Sequence, residues 1–451
     1  MIVRKLLSTA EQLLRRYSLC DWCMGRQFAF QGYGLTNEMR GKALKVLLLM
    51  VAIETYQKNQ KRGITRLKRL AERGMFQPAK EFLEKEEITN LEDSNQCDIC
   101  NGVMNKLDEA SNAVVQTLQG WELNSILVGS KIAPSIVERE EQLRSEIQIE
   151  FGEPMKAELN REIGKRVSDN LDIPVDFATP DIVAIIQIPE FTVEMQVNSL
   201  FIYGRYQKLK RGFPQTHWPC RKCGGKGCSH CKGTGKMYSE SVEELIAPPL
   251  IRLTQGADVR FHGAGREDID ARMLGEGRPF IIEIINPHIR KIDLDEATKR
   301  INKYAKSKVK VAGLRLSNKK AVIKLKASAT ISKKVYKAII HVETPIRREE
   351  LLILEKLEMP LEVKQRTPQR VLHRRANRQR QKRVFEMHVK PLKKRAFELI
   401  ICCQGGLYVK EFISGDNGRT IPSIAEILNK TTTCHHLDVM NVEISEEELP
   451  W

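Results

Sequence analysis

Four copies of one short pattern constrain this 451-residue chain more than anything else in it. "CDWCMG", "CDICNG", "CRKCGG" and "CSHCKG" each set two cysteines three positions apart, with a glycine two residues after the second. That spacing lets both thiolates of one turn reach the same tetrahedral metal. The glycine, free to take φ > 0, turns the backbone N–H groups that follow toward sulfur. Eight of the eleven cysteines fall in these pairs: Cys20/Cys23, Cys97/Cys100, Cys220/Cys223 and Cys228/Cys231. The chain shows neither a membrane-length apolar run nor an apolar leader ending in a small-residue cleavage site, so a cytoplasmic location is expected and disulfides are not. Redox-active dithiols are the rival reading; four repeats of one local solution fit zinc better. Cys220, Cys223, Cys228 and Cys231 lie within twelve residues and can close one site alone. Cys20/Cys23 would then take Cys97/Cys100, stapling the N-terminal helix to a segment roughly seventy residues on. All four ligands of each site are protein thiolates, leaving no position for water or substrate, so the two expected zinc ions are structural. The nearby Arg221, Lys222, Lys226, Lys232 and Lys236 offset the tetrathiolate charge or meet phosphate, and the sequence does not choose between these. Cys402, Cys403 and Cys434 read as ordinary small core residues.

A chain of this length exceeds one hydrophobic core, so two or three domains are expected. The formal charge of +17 speaks of partners rather than fold and points to a polyanion. Clustering sharpens the point. Lys364 to Arg383, "KQRTPQRVLHRRANRQRQKR", holds nine Lys/Arg and no acid, with Arg370, Arg374 and Arg375 as its candidate contacts. "YGRYQKLKRG" at 203–212 mixes Arg205, Lys208, Lys210 and Arg211 with two tyrosines. Charges that bind phosphate beside rings that stack on bases suit RNA; the bland alternative is two solvated faces.

Residues 1–175 are dominated by helical periodicity: Leu6, Leu7, Leu13 and Leu14 on a first helix, then 38–58 and 105–120. "ALKVLLLMVAIETY" (43–56) reads as a buried helix, "KNQKRG" and "EKEEITNLEDSNQ" as exposed turns or linkers. Near Pro180 the character changes to strand-length runs, "DIVAIIQI" and "FTVEMQVNSLFIYG", split by Pro189. Beyond a cysteine-rich hinge at 217–235, "PFIIEIIN", "KVKVAGLRL", "AVIKLKASATI", "VYKAIIHVE", "FELIICCQGG" and "LYVKEFI" are strand-like, and "DEATKRINKYAK" is a helix. Many strands with few helices predict an α+β fold on a mainly antiparallel mixed sheet.

Several enzyme classes lose ground, because the chain has no GxxxxGK[ST], no GxGxxG between strand and helix, no HExxH and no GxSxG. The strongest remaining site is "FHGAGREDIDARMLGEGRPF" (261–280), with four carboxylates, three arginines and four glycines. A carboxylate flanked by arginine in a glycine-rich loop before a strand can be held ionised and used as a nucleophile. The same residues can equally be a salt-bridged turn, and composition does not choose.

Order and wording of the motifs go further. "GREDIDARMLGEGRPF", "VYKAII" and "YVKEFISGDNGRTIPS" closely resemble the pseudouridine synthase ten family of tRNA-modifying enzymes, as do "NSLFIYGRYQKLKRGFPQT", "QRTPQRVLHRR" and the N-terminal CxxC motifs. The resemblance spans essentially the whole chain, and the "WPC" knuckle cluster at 218–231 looks like the archaeal branch. "CCQGGLYVKEFISGDNG" is also similar to the C-terminal motif of the broader TruB-like synthases. Ala271 stands where the family leads one to expect Val, a conservative departure.

The resemblance implies an N-terminal accessory region over 1–202, carrying zinc knuckles and a THUMP-type RNA-binding module that grips the tRNA acceptor end. It implies a catalytic pseudouridine synthase domain over 203–451 with a knuckle insertion near 217–235. Asp268 matches the shared aspartate, with Arg266 two residues before it and Asp270 and Glu267 as rival carboxylates. Tyr336 matches the tyrosine beneath the target base, Lys410 the basic partner of the aspartate, and Val409 and Leu428 the apolar wall. The implied activity is isomerisation of uridine to pseudouridine in the TΨC arm of tRNA, at positions 54 and/or 55. That reaction involves no redox change and no net transfer, so it needs no cofactor. A monomer without nucleotide cofactor or membrane is expected, with tRNA as partner. A non-catalytic zinc-containing tRNA-binding protein or RNA chaperone of the same fold is the alternative, and the intact Asp268, Tyr336 and Lys410 set argues against it.

Overall fold

In a computed structural model that describes residues 2–31, 33–88, 90–91, 96–329, 331–444 and 449, the early helical periodicity becomes a stack of helices. The chain divides into two units, Met1–Asn198 and Ser199–Trp451. In the first, helix Ile2–Arg16 buries Ala10, Leu13 and Leu14. Helix Asn37–Lys58 buries Leu44, Leu48 and Ala52, one residue per turn along a single stripe. Val46, Leu47 and Met50 are exposed, so "ALKVLLLMVAIETY" is not the buried helix its composition suggests. "KNQKRG" is not a turn either: only Asn59 leaves the helix, and its side chain accepts from Arg62 N at 3.0 Å to start helix Gln60–Glu72 at once. Of the expected linker at 84–96, residues 89 and 92–95 lie outside the described residues, and its start finishes helix Gln77–Lys85.

Strand β1 (Ile126–Ile132) interrupts the stretch expected to be helical and pairs parallel with β2 (Ile182–Ile188), which pairs antiparallel with β3 (Val193–Val197). Ile182, Ala184, Ile186 and Ile188 alternate inward, and Leu159, Ile163 and Val167 of helix Met155–Leu171 complete that core. No described helix is long and apolar enough to cross a membrane.

The second unit is one ten-stranded sheet. Its strands are β4 (Leu200–Lys208), β5 (Asp258–Gly263), β6 (Arg272–Ile285), β7 (Val309–Ser317), β8 (Lys333–Val342), β9 (Leu361–Arg366), β10 (Gln379–Lys393), β11 (Ala396–Gln404), β12 (Thr420–Ile421) and β13 (Thr432–Val442). They lie in the order β12-β9-β10-β11-β8-β13-β6-β4-β7, with β5 on β6. Every pairing is antiparallel except β13 with β6, which gives the α+β fold with a mainly antiparallel mixed sheet.

Two runs expected as strands are helices. "AVIKLKASATI" (321–331) begins inside helix Lys319–Ser328, where Asn318 accepts from Ala321 N at 3.0 Å and Ala321, Val322 and Leu325 form one buried face; residue 330 lies outside the described residues. "LYVKEFI" becomes Val409–Ser414, ended by Gly415 at φ 80°. Both are short, and their caps outweigh β-branched composition.

Candidate active site and metal centres

The acid- and base-rich loop between β5 and β6 is a clamped platform. Glu267 is buried, takes Arg278 Nε at 2.8 Å and accepts from Tyr206 Oη at 2.9 Å. Arg278 also donates to Ala264 O at 2.8 Å, and Gln215 to Gly265 O at 2.9 Å. Lys208 donates to the carbonyls of Asp268 and Ile269 at 3.3 and 3.0 Å, and Arg211 to that of Asp270 at 2.7 Å. Five backbone carbonyls of the loop, those of residues 264, 265 and 268–270, are thereby fixed by side chains from β4, the segment after it and β6. Glu267, one of the rival carboxylates, is thus a structural anchor. Asp268 points instead into a cavity of about 560 Å³.

Asp268 keeps 37% of its side-chain area exposed, so it sits at the cavity's edge rather than deep inside. Arg370 Nη2 lies 3.1 Å from Oδ2, and Lys410 Nζ 3.4 Å away. Lys410 is closer to Asp270, at 2.7 Å to both oxygens. Burial would raise Asp270, but the hydrogen bond and charge of Lys410 outweigh it and hold the carboxyl below its usual range. Arg370 is oriented from behind by Glu411, at 2.6 Å from Nε. Burial alone would weaken the guanidinium as a base; Glu411 and Asp268 hold it protonated. Arg266 is exposed and lines the same cavity.

Tyr336 is half-buried on the cavity wall, and burial pushes its phenol well above the ordinary value, so it stays neutral. Val409, at the start of its short helix, joins the wall. Leu428 does not: it is buried in the core with Phe412 and Ile424. Leu437 and Val439 of β13 line the cavity instead. The signal for Leu437 was its alternation with Val439, masked by the polar "CHHLD" around it.

The basic patch at 203–212 is largely not an RNA surface. Lys208 is fully buried, and burial lowers it to about 8. Arg205 is spent on the carbonyls of Glu276, Gly277 and Val442, each at 3.1 Å. Arg211 holds Leu437 O at 2.6 Å and Asp438 at 2.5 Å. Tyr203 and Tyr206, expected as stacking rings, are buried in the core. Only Lys210 stands exposed. The reason is positional: Arg205 and Lys208 lie on β4, a strand interior to the sheet, and Arg211 turns back onto the loop and β13, so all three close backbone gaps. The segment 364–383 divides as well. Arg370 belongs to the site, Arg375 donates to Tyr408 Oη at 2.8 Å, and Arg380 and Lys382 line the cavity. The side chain of Arg374 lies outside the described residues.

The cysteines gather as two quartets, Cys20/Cys23/Cys97/Cys100 and Cys220/Cys223/Cys228/Cys231, with all sulfurs of each within 4.8 Å of one another. Sulfur separations of 3.7 Å (Cys20–Cys100) and 3.7–3.9 Å in the second quartet match the edge of about 3.8 Å that a tetrahedron with 2.3 Å metal–sulfur bonds requires. Both groups can hold a metal ion. The glycine amides that reach sulfur belong to Gly227 and Gly235, each 3.2 Å from the cysteine four residues earlier, beside the amides of Cys228 and Cys23 at 3.1 and 3.4 Å from Cys231 and Cys20. Gly225 and Gly233, the motif glycines, take φ 98° and 81° and so turn the chain toward those contacts. Gly25 behaves differently: it is helical, and a Cβ there would lie 1.7 Å from Asn37 O, so it permits helix contact instead. A cation the spacing did not reveal, fully buried Arg26, donates to Cys23 Sγ at 3.4 Å and pairs with Glu140 and Glu158 at 2.8 Å each. Around the second quartet, Arg221, Lys222, Lys226 and Lys232 are exposed, and Lys236 pairs with Glu244.

Comparison with known proteins bears on both halves. Residues 201–443 match the model of the Pus10 C-terminal family, and residues 110–187 that of the archaeal Pus10 THUMP domain. The chain is 40% identical over 443 residues to the "tRNA pseudouridine synthase Pus10" of Methanothrix thermoacetophila, covering 98% of this chain and 95% of that protein. To the protein of the same name from Methanocaldococcus jannaschii it is 42% identical over 439 residues, covering 96% and 93%. To that of Methanopyrus kandleri it is 39% identical over 443 residues, covering 96% and 98%.

Proposed function

Since the chain belongs to the Pus10 family of tRNA pseudouridine synthases, isomerases that act on tRNA, we infer that Asp268 is the catalytic carboxylate with which it converts uridines of the TΨC arm, at positions 54 and/or 55. The observation that carries this reading is an aspartate held by Arg370 and Lys410 at the edge of a cavity walled by Tyr336.

The reaction breaks N1–C1′ with the electron pair leaving on N1, turns the freed uracil, and forms C5–C1′. C5 then loses its proton and N1 gains one. Asp268 serves either by attacking C1′ or by taking the 2′ proton, and in both roles its carboxylate is the reacting group, held in place by Arg370 and Lys410. Tyr336, kept neutral, offers a flat face to the base. Val409, Leu437 and Val439 keep water from it. Reaching the cavity requires flipping the uridine out of the folded tRNA, which costs a few kcal/mol and is offset by phosphate contacts from exposed cations.

The region before the catalytic half, with its THUMP module, serves to grip the tRNA, and residues 203–451 to carry out the chemistry. The cysteine quartets, all-thiolate and near-tetrahedral, suit two structural zinc ions. Incubating wild type, Asp268→Asn and Asp270→Asn with unmodified tRNA and mapping modified positions tests the reading. Pseudouridine in the TΨC arm is expected from wild type and Asp270→Asn, and none from Asp268→Asn with tRNA affinity retained. Activity surviving in Asp268→Asn alone would move the role to Asp270.

A further inference from the structure

Lys334 lines the cavity, and neither its family resemblance nor the reaction outlined above gives it work. It lies on β8 two residues before Tyr336, so both side chains share one face of the strand, about 6.6 Å apart along it. That face continues as Ala338, Ile340 and Val342, all fully buried. Lys334 itself is 6% exposed. Its ammonium donates to Ala329 O at 3.3 Å and would sit 3.1 Å from a side chain at Gly265. The charged and titratable groups that face it are Arg278 on β6, Lys382 on β10, Cys403 on β11 and Glu267 of the loop. Glu267 is already committed to Arg278 at 2.8 Å. An ammonium on a core face, beside two other cations and without a carboxylate of its own, is costly unless an anion joins it.

The isomerisation makes such an anion inside the cavity. When N1–C1′ breaks, the charge on uracil spreads over N1 and its two carbonyl oxygens. Phosphates remain with the sugar near the open edge where Asp268 lies, while a side chain as enclosed as Lys334 meets the base. We propose that Lys334 is a further catalytic residue, whose ammonium holds the freed uracil anion against Tyr336 while the ring turns from N1 to C5. Lys334 keeps its proton throughout; the C5 proton leaves to a base and N1 is protonated afterwards. Burial, then the charge of Arg278, lowers Lys334 to about 8, so the ammonium predominates near neutrality and is lost above it.

This rests on the Asp268 reading, and single-turnover kinetics separates the two. Lys334→Met should slow pseudouridine formation about 10²–10³-fold, the loss seen when one transition-state donor is removed, with tRNA Kd within about threefold. Lys334→Arg should recover part of the rate, and its rate should persist to higher pH than the wild-type rate, which falls above about pH 8. Full rate in Lys334→Met beside an inactive Asp268→Asn would overturn this role and leave Asp268 in place. Weaker binding with a flatter salt dependence and unchanged rate would overturn it in favour of a phosphate contact. Should Lys334→Met fail to fold, identical high-pH limbs in wild type and Lys334→Arg would overturn it alone.

Discussion

The Arg370 guanidinium faces Asp268 with both of its terminal nitrogens, Nη2 at 3.1 Å from Oδ2 and Nη1 at 3.4 Å from Oδ1. Its third nitrogen is fixed by Glu411, so the fork is aimed before substrate arrives. Lys410, by contrast, is shared with Asp270 and lies farther from Asp268. The principal partner of the aspartate therefore comes from the Arg-rich segment.

Arg370→Met should lower the single-turnover rate about 10²-fold, the scale of a misplaced reacting group. Arg370→Lys should restore little of it, because an ammonium cannot engage both oxygens at once. An unchanged rate with weakened, less salt-sensitive tRNA binding would return Arg370 to phosphate contact.

Lys208 has a pH signature of its own. Burial lowers it to about 8 from 10.5, so the folded chain sheds a proton that the unfolded chain keeps between those values. The cost of burying the ammonium is fully present below pH 8 and is relieved as pH rises toward 10.5, by at most about 3 kcal/mol. Stability of wild type relative to Lys208→Met should rise across that window. In ¹³Cε-lysine spectra two resonances, those of Lys208 and Lys334, should titrate near 8, and one of them should vanish in Lys208→Met; a midpoint near 10.5 for the one that vanishes would refute this.

Metal analysis should return two zinc ions per chain. Cys97→Ser should remove one and destabilise the first unit, whereas Cys228→Ser should remove the other with the second unit's sheet intact. Elemental mass spectrometry and thermal unfolding check both, and a single ion per wild-type chain would leave one quartet without a role.

Besides Arg383, which pairs with Glu362 at 3.3 Å, the exposed remainder of the Arg-rich segment is Lys364, Arg366 and Arg378. Replacing all three with Gln should weaken tRNA binding and reduce the slope of log Kd against log salt by about two to three. An unchanged slope would make them solvated surface.

What the sequence disclosed followed from how local each signal was. The cysteine quartets were legible because CxxC is a one-turn device, and β8 because "VYKAIIHV" alternates cleanly. A count of charges cannot see that β4 lies inside the sheet or that Arg211 turns back onto β13, so Arg205, Lys208 and Arg211 read from the sequence as an RNA surface. Leu437 is hard to read from the sequence because only the pairing of β13 with β8 sets residues 437 and 439 opposite Ala338 and Tyr336, whereas Leu428 belongs to the core. Arg370's role needed Glu411, forty-one residues on, which no spacing rule connects.

The place of β13 makes the sheet depend on it. It wedges between β8, which bears Tyr336, and β6, which follows the Asp268 loop, and Asp438 within it ties Arg211 and Arg272 together. Without residues 432–442, no strand lies between β8 and β6. A chain truncated before residue 432 should therefore form no pseudouridine, because nothing would join the strand bearing Tyr336 to the one that follows the Asp268 loop.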